Sequence, residues 1–95
     1  MNAWLWNGSI FEPSESVPLT DRGFRYGMSV FASLRVSHGE AEFFENHTAR
    51  LVQACAERDI ALDENILPQV AGLFAALSGF ARIYITAGEA IGCGP

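Results

Sequence analysis

The spacing of apolar and polar residues changes several times along this chain, and each spacing predicts a different element. Near the start, two short apolar runs at 3–6 and 9–12 are separated by Asn7-Gly8. An Asn-Gly pair between two such runs is a strong signal for a β-hairpin, because both residues tolerate the positive φ of a tight turn. The chain is therefore predicted to open with a hairpin.

Residues 28–36 alternate between two kinds of side chain, which predicts a β-strand. Successive residues of a strand point to opposite faces of the sheet. We expect one face to meet the core and the other, with Phe31, Ser33 and Arg35, to meet a ligand. The residues of the core face are Val30, Ala32, Leu34 and Val36. A turn at 37–40 and a returning strand at 41–44 are expected to follow.

Two later segments have the period of amphipathic helices. In the first, about 45–59, Leu51, Val52 and Cys55 form one apolar stripe. In the second, apolar residues at 70, 73, 74 and 77 follow helical spacing, and 78–79 predicts the helix end. Pro68 is tolerated only in a first turn, so we expect the cap near Asn65 rather than Asp63. Residues 81–87 predict a last strand.

Several strands, then two helices, then one strand predict an α+β domain. We expect an antiparallel sheet with both helices on one of its faces. A chain of 95 residues forms one domain at most, because chains usually divide only beyond a couple of hundred residues. Residues 1–95 are therefore expected to form a single unit.

The charge and the apolar runs of the chain indicate which partners and which location to expect. The formal net charge is -5, and the six basic residues are all arginines without a basic run, so nucleic acid is not expected as a partner. One or two arginines do suffice for a small anion such as a phosphate or a carboxylate. No apolar run approaches the roughly 18 residues of a membrane span, and no basic segment opens a secretion signal. We predict a cytoplasmic protein that does not enter a membrane.

The positions of the cysteines and histidines predict neither a metal site nor a disulfide bond. Cys55 falls in a helical pattern and Cys93 in a glycine-rich tail, so the chain has no C-x-x-C spacing. His38 and His47 lie apart, without a second cluster of ligands. We expect no metal site.

Two glycines four residues apart, Gly23 and Gly27, bracket Phe24-Arg25-Tyr26. Glycine allows backbone conformations closed to other residues, which lets a loop bring its side chains to a ligand. A loop of this kind is predicted here.

Several segments, taken in order, resemble a known family. The first is Leu19-Thr20-Asp21-Arg22-Gly23-Phe24-Arg25-Tyr26-Gly27-Met28-Ser29-Val30-Phe31, which is followed by Leu34-Arg35-Val36 and Gly39. The later ones are His47-Thr48-Ala49-Arg50-Leu51 and residues 81–88. Together they resemble the small N-terminal domain of the class IV aminotransferases. These are the fold-type IV pyridoxal phosphate enzymes, which include branched-chain and D-amino acid aminotransferases and aminodeoxychorismate lyases.

The resemblance implies roles for particular residues. Arg50 matches the arginine that binds the phosphate of pyridoxal 5'-phosphate, and a planar guanidinium can donate two parallel hydrogen bonds to phosphate oxygens. Tyr26 and Phe31 match aromatic residues on the substrate side of that cofactor, and we expect Ser33 and Arg35 to contact substrate beside Phe31. The alternatives are a solvated helix arginine for Arg50 and ordinary strand packing for the aromatic residues.

The chain also departs from the family pattern. Gly27-Met28-Ser29 stands where many members have Gly-Asp-Gly, and Ala32 follows the aromatic residue where many have an acid. Thr86-Ala87-Gly88 lacks the arginine that some members place before the glycine. The substrate, its stereochemistry and the choice between amino-group transfer and elimination therefore stay open.

In this family the lysine that holds the cofactor lies in a second domain, and this chain has no lysine. We therefore expect the N-terminal small domain of a longer, homodimeric enzyme that transfers an amino group between an amino acid and a 2-oxo acid. Its catalytic domain would lie outside this chain, which alone would be inactive. The alternatives are an aminodeoxychorismate lyase of the same fold and a non-catalytic binding module that kept the fold.

Overall fold

The computed structural model describes residues 3–75 and 77–88. These residues form five strands, three α-helices and a 3-10 turn. The strands are β1 (Trp4–Trp6), β2 (Phe11–Pro13), β3 (Ser29–Ser37), β4 (Glu40–Ala41) and β5 (Gly79–Thr86). The helices are α1 (Arg22–Tyr26), α2 (Phe44–Glu57) and α3 (Leu67–Leu73), and the 3-10 turn spans Glu64–Ile66. This order, with antiparallel pairing throughout, confirms the predicted α+β class.

Strand β3 is the centre of a three-stranded sheet with the order β4-β3-β5. Its pairing with β5 runs from Ser29 opposite Thr86 to Val36 opposite Gly79. On its other side, β4 pairs only with Val36 and Ser37. Among the described residues, most of β3 therefore has a strand on one side only.

Strands β1 and β2 form the predicted hairpin as a separate two-stranded sheet. Trp6 pairs with Phe11, so the loop contains four residues rather than the Asn7-Gly8 pair alone. The Oδ1 atom of Asn7 accepts hydrogen bonds from the backbone N–H groups of Ser9 and Ile10, at 2.9 and 3.0 Å. The asparagine side chain thus closes a wider turn than the dipeptide predicted.

The core lies between the inner face of the β3–β5 sheet and helices α2 and α3. Leu34 on β3 is 1% exposed and Cys55 on α2 is 2% exposed. Burial raises the pKa of the Cys55 thiol, and the positive charge of Arg58 offsets part of that rise. The other buried residues of the cluster are Val30, Val36, Leu51, Ile60, Val70, Phe74 and Ile83. Both helices therefore meet the same face of the sheet, as predicted.

The predicted division of β3 into two faces is confirmed. Residues 30, 34 and 36 are buried and residue 32 is half-buried, whereas Phe31, Ser33 and Arg35 are exposed. The two-residue period of the strand therefore assigns the core side correctly.

The predicted returning strand at 41–44 is too long. The chain leaves β4 at Ala41 and turns at Phe43, whose φ of 54° lies in the left-handed region. Phe44 then begins α2 and packs against Phe74, with ring centroids 6.4 Å apart. Phe44 therefore belongs to α2, and its ring packs against the core next to α3.

The predicted cap of the second helical segment was wrong. Asp63, not Asn65, is the capping residue, because its Oδ1 atom accepts a 3.0 Å hydrogen bond from the backbone N–H of Asn65. A 3-10 turn follows this cap and leads into α3, which places Pro68 in the first α-helical turn as expected.

The predicted end of that helix was also wrong. Helix α3 ends at Leu73. The backbone N–H of Phe74 donates to the carbonyl of Ala71, three residues earlier, which is the hydrogen bond of a 3-10 turn rather than of an α-helix. A further bond joins the N–H of Leu77 to the carbonyl of Phe74, so Leu77 still packs against the core. Strand β5 then begins at Gly79, before the predicted residue 81.

The segment between Gly23 and Gly27, predicted to be a loop, is helix α1. Asp21 caps it by accepting a 3.1 Å hydrogen bond at Oδ2 from the backbone N–H of Phe24. Gly27, with φ of 68°, ends the helix in the left-handed conformation. The aspartate before the segment and the glycine after it are both helix-end signals, so the loop prediction was wrong.

Helix α1 is held against the end of β5 by a group of contacts that we call the α1–β5 clasp. Thr86 Oγ1 donates a 2.6 Å hydrogen bond to Asp21 Oδ1. The backbone N–H of Arg22 donates to the carbonyl of Gly88 at 2.8 Å, and its guanidinium donates to the carbonyls of Ala87 and Gly88. The clasp comprises Asp21, Arg22, Gly23, Thr86, Ala87 and Gly88.

Gly23 allows the two parts of the clasp to touch. A Cβ atom at this position would lie 2.5 Å from Thr86 Cγ2 and 2.8 Å from Asp21 Oδ2. Its role is therefore close packing, whereas the sequence pattern had suggested backbone freedom.

Leu34→Ala is expected to lower the free energy of unfolding by about 2 to 5 kcal/mol, because it leaves a cavity in the core. Ser33→Ala, one residue away on the exposed face, is the matched control and should change it by about 0.5 kcal/mol or less. Urea unfolding followed by circular dichroism measures both. Equal shifts for the two variants would contradict the assignment of the faces.

A pair of glycine substitutions tests the clasp packing. Gly23→Ala should destabilise the chain by more than about 1 kcal/mol, because the new methyl group overlaps Thr86. Gly72→Ala in α3 meets nothing within 4 Å and should stabilise it by about 0.5 to 1 kcal/mol. Thermal unfolding reports both signs, and a stabilising Gly23→Ala would show that α1 does not lie against Thr86.

Candidate functional site

A depression of about 300 Å³ lies between β3 and α2. Its lining is formed by Phe31, Ala32, Ser33, His47, Arg50 and Leu51. Three of the predicted site residues, Arg50, Phe31 and Ser33, therefore line the same depression.

One wall of the depression is the edge of β3 that no strand of the described residues covers. The backbone N–H of Ala87 donates a 2.9 Å hydrogen bond to the carbonyl of Met28. Because backbone groups alternate along a strand, the N–H and C=O groups of residues 30, 32, 34 and 36 also point toward β5. The N–H and C=O groups of Phe31 and Ser33 point the opposite way, toward the edge of β3 on the side of β4. The short strand β4 pairs with Val36 and Ser37 and does not extend to Phe31 and Ser33. Backbone donors and acceptors are thus available beside the side chains.

Helix α2 forms the opposite wall. His47 and Arg50 are three residues apart and therefore lie on one face of the helix. Leu51, 2% exposed, anchors this part of α2 in the core beneath them. His47 was not singled out as a site residue, although its spacing from Arg50 was a usable signal.

The exposed face of the β3–β5 sheet continues the site. The register places Tyr84 opposite Phe31, with ring centroids 5.8 Å apart, and Arg82 opposite Ser33. The Nη1 atom of Arg82 donates a 3.3 Å hydrogen bond to the hydroxyl of Tyr84. The sequence pattern did not single out these two residues, because only the register between the strands brings them beside Phe31 and Ser33.

The two other predicted site residues do not line the depression. Tyr26 ends α1, and the guanidinium carbon of Arg25 lies 5.1 Å from the centre of its ring. Arg35 lies further along the exposed face of β3, opposite Phe80. Neither residue belongs to the lining of the depression.

Positive charge is concentrated around β3 although the chain as a whole is acidic. Arg35, Arg50 and Arg82 are all exposed at this sheet or at its edge. Guanidinium groups bind phosphate or carboxylate through paired N–H donors, and exposed aromatic rings offer contact area to a planar group. The arrangement is suited to an anion that carries an aromatic or apolar body.

A second depression, of about 530 Å³, lies beside the N-terminal hairpin. Its lining consists of Ala3, Trp4, Leu5, Ser14, Glu15, Ser16 and Val17. Glu15 is the single ionisable side chain in that lining, so the smaller depression beside Arg50 is the better candidate despite its size.

Metal ligands are not grouped in the described part of the chain, where no three His, Cys, Asp or Glu side chains could hold an ion. Cys93 lies outside the described residues. No helix in residues 3–75 and 77–88 is both long and apolar enough to cross a membrane.

Comparisons with known proteins address the identity of the fold. No protein-family model matches the chain. A D-alanine aminotransferase from Bacillus licheniformis is 37% identical over 59 residues, which are 61% of this chain and 21% of that protein. The crystal structure of 4-amino-4-deoxychorismate lyase from Pseudomonas aeruginosa matches 83% of this chain, with a TM-score of 0.78 and 36% identity. The chain has a class IV aminotransferase-like fold.

This chain covers a minor part of the length of these relatives. It spans 21% of the length of the aminotransferase and 30% of the length of the lyase chain. The resemblance expected from the motifs is confirmed at the level of the fold. The two relatives are named for different reactions, so the fold alone does not decide the reaction.

Proposed function

We propose that this chain forms the small domain of a pyridoxal 5'-phosphate-dependent class IV enzyme, in which Arg50 binds the cofactor phosphate. The observation that carries the proposal is the position of Arg50 beside Phe31 and Ser33 in one depression. The similarity to an aminotransferase and to a lyase of the same fold supports it. A second domain, outside this chain, supplies the lysine that holds the cofactor.

The residues of the depression fit the phosphate end of such a cofactor. Arg50 offers two parallel N–H donors to phosphate oxygens, and the imidazole of His47 and the backbone N–H groups of the β3 edge add donors beside it. Bound pyridoxal phosphate supplies an electron sink for the carbon that bears the amino group. The role of this domain is therefore to bind and orient the cofactor.

The exposed sheet face forms the wall on the substrate side. Phe31 and Tyr84 present two neighbouring aromatic rings, and Arg35 and Arg82 present guanidinium groups that can pair with a substrate carboxylate. Ser33 lies directly opposite Arg82 in the register and two residues before Arg35 on the same face of β3. Tyr26 contributes from α1 at the start of β3.

We propose amino-group transfer between an amino acid and a 2-oxo acid as the reaction. Elimination by a lyase of the same fold is the second candidate, because the structural neighbour is a lyase. A non-catalytic module that kept the fold is the third. The homodimer and the cytoplasmic location stay predictions. Turnover assays of the complete enzyme with D-alanine and with 4-amino-4-deoxychorismate distinguish these candidates.

Arg50→Gln in the complete enzyme should weaken binding of pyridoxal 5'-phosphate about 10- to 100-fold, because hydrogen bonds between charged partners are lost. The free energy of unfolding should change by about 0.5 kcal/mol or less, since Arg50 is exposed. Arg58→Gln, just beyond the end of α2, is the matched control and should keep the original affinity. A cofactor titration with an unchanged Kd, beside a lowered Tm, would return Arg50 to a purely structural role.

The 95-residue chain alone should show no transaminase or lyase turnover with pyridoxal 5'-phosphate. The reaction needs a lysine ε-amine to hold the cofactor, and the chain contains no lysine. Its visible spectrum with the cofactor should lack the band of a lysine adduct. Turnover by a chain whose mass corresponds to residues 1–95 would overturn the assignment of the reactive amine to a second domain.

A further inference from the structure

We propose that the hydrogen bond between Asp21 and Thr86 positions Tyr26 for the substrate side of the site. Asp21 and Thr86 are positioning residues, because they act through α1 and neither lines the depression. Thr86 follows Arg82 and Tyr84 on the same face of β5, but its hydroxyl is used by Asp21. The link to substrate rests on the proposed function, whereas the link to the position of α1 stands on the geometry alone.

Among the described residues, Asp21 is the one charged residue that is buried, with 7% of its surface exposed. Both of its carboxylate oxygens are used: Oδ1 accepts from Thr86 Oγ1 at 2.6 Å, and Oδ2 accepts from the N–H of Phe24 at 3.1 Å. Removing either donor would leave a buried carboxylate with an unmatched oxygen. The carboxylate therefore joins the end of β5 to the first turn of α1.

Thr86 is oriented by a second hydrogen bond. The backbone N–H of Gly88 donates to Thr86 Oγ1 at 3.2 Å, so the hydroxyl proton is directed to Asp21. Hydrogen bonds in such a chain strengthen one another. The hydrogen bond to Asp21 therefore requires a residue with a hydroxyl group at position 86.

Apolar packing does not hold α1 in place. The helix has no buried residue, and Phe24 and Tyr26 are 61% and 41% exposed. Elements with little buried apolar surface open locally at low free-energy cost. The polar contacts at the start of α1 consequently decide where Tyr26, at its end, lies relative to β3.

Amide hydrogen exchange by NMR tests this positioning in the 95-residue chain. Thr86→Val, which is nearly isosteric but lacks the hydroxyl, should speed exchange at the amides of Phe24 and Gly27 about 10- to 100-fold. The amides of Leu51 and Cys55 in α2 should keep their rates. Thr86→Ser restores the hydroxyl and should restore slow exchange in α1.

The matched control is Thr48→Val, because the Thr48 hydroxyl bonds to the carbonyl of Glu45 within α2. It should leave the α1 amides unchanged. If Thr86→Val does not fold, Asp21→Asn replaces it, since asparagine keeps the size but offers one acceptor oxygen instead of two. Unchanged exchange in α1, or equal acceleration in α1 and α2, would overturn the proposal.

In the complete enzyme, Thr86→Val should raise KM for the amino donor about 10-fold, because a displaced Tyr26 misplaces the substrate. The Kd for pyridoxal 5'-phosphate should stay the same, and Thr86→Ser should recover the original KM. An unchanged KM would overturn the role toward substrate. Absence of turnover in the unsubstituted enzyme would instead count against the proposed function, while the exchange experiment still decides how α1 is held.

Discussion

The antiparallel pairing of β3 with β5 is the constraint on which the other features of this domain depend. Its register places the aliphatic residues of both strands on one face, where α2 and α3 cover them. The same register brings Tyr84 and Arg82 beside Phe31 and Ser33 on the other face. A slip of one residue would exchange the two faces, removing the core and the candidate site together.

Two kinds of interaction hold the parts of the domain on this sheet. Helices α2 and α3 are attached by apolar packing around Leu34, so their position follows from the removal of nonpolar surface from water. Helix α1 is attached by hydrogen bonds around the carboxylate of Asp21. Apolar packing is non-directional, whereas hydrogen bonds depend on distance and angle. Directional contacts thus hold the element that carries Tyr26.

The candidate site lies at an edge of β3 that has no partner strand among the described residues. Because β4 pairs with only the last two residues of β3, the backbone edge at Phe31 and Ser33 is left beside Arg50. Unpaired edges expose hydrogen-bonding groups that need partners, and a ligand or another segment of protein can supply them. The two relatives share this fold but are named for different reactions, so the fold does not determine the reaction.

The sequence was enough to predict the hairpin, the two faces of β3, the start of α2 near residue 45 and, through its motifs, the fold, because these features depend on neighbouring residues. It also indicated Arg50, because helical spacing and the His-x-x-Arg-Leu motif are local. The prediction missed the cap at Asp63 and the helix at Arg22–Tyr26, although both have local signals. Asp63 accepts from the N–H of Asn65, and Asp21 accepts from the N–H of Phe24. The sequence pattern did not predict that Arg82 and Tyr84 lie beside Phe31, or that Asp21 contacts Thr86. Such pairs are 50 or more residues apart, and the register that joins them is set by the packing of the whole core, which no local pattern contains.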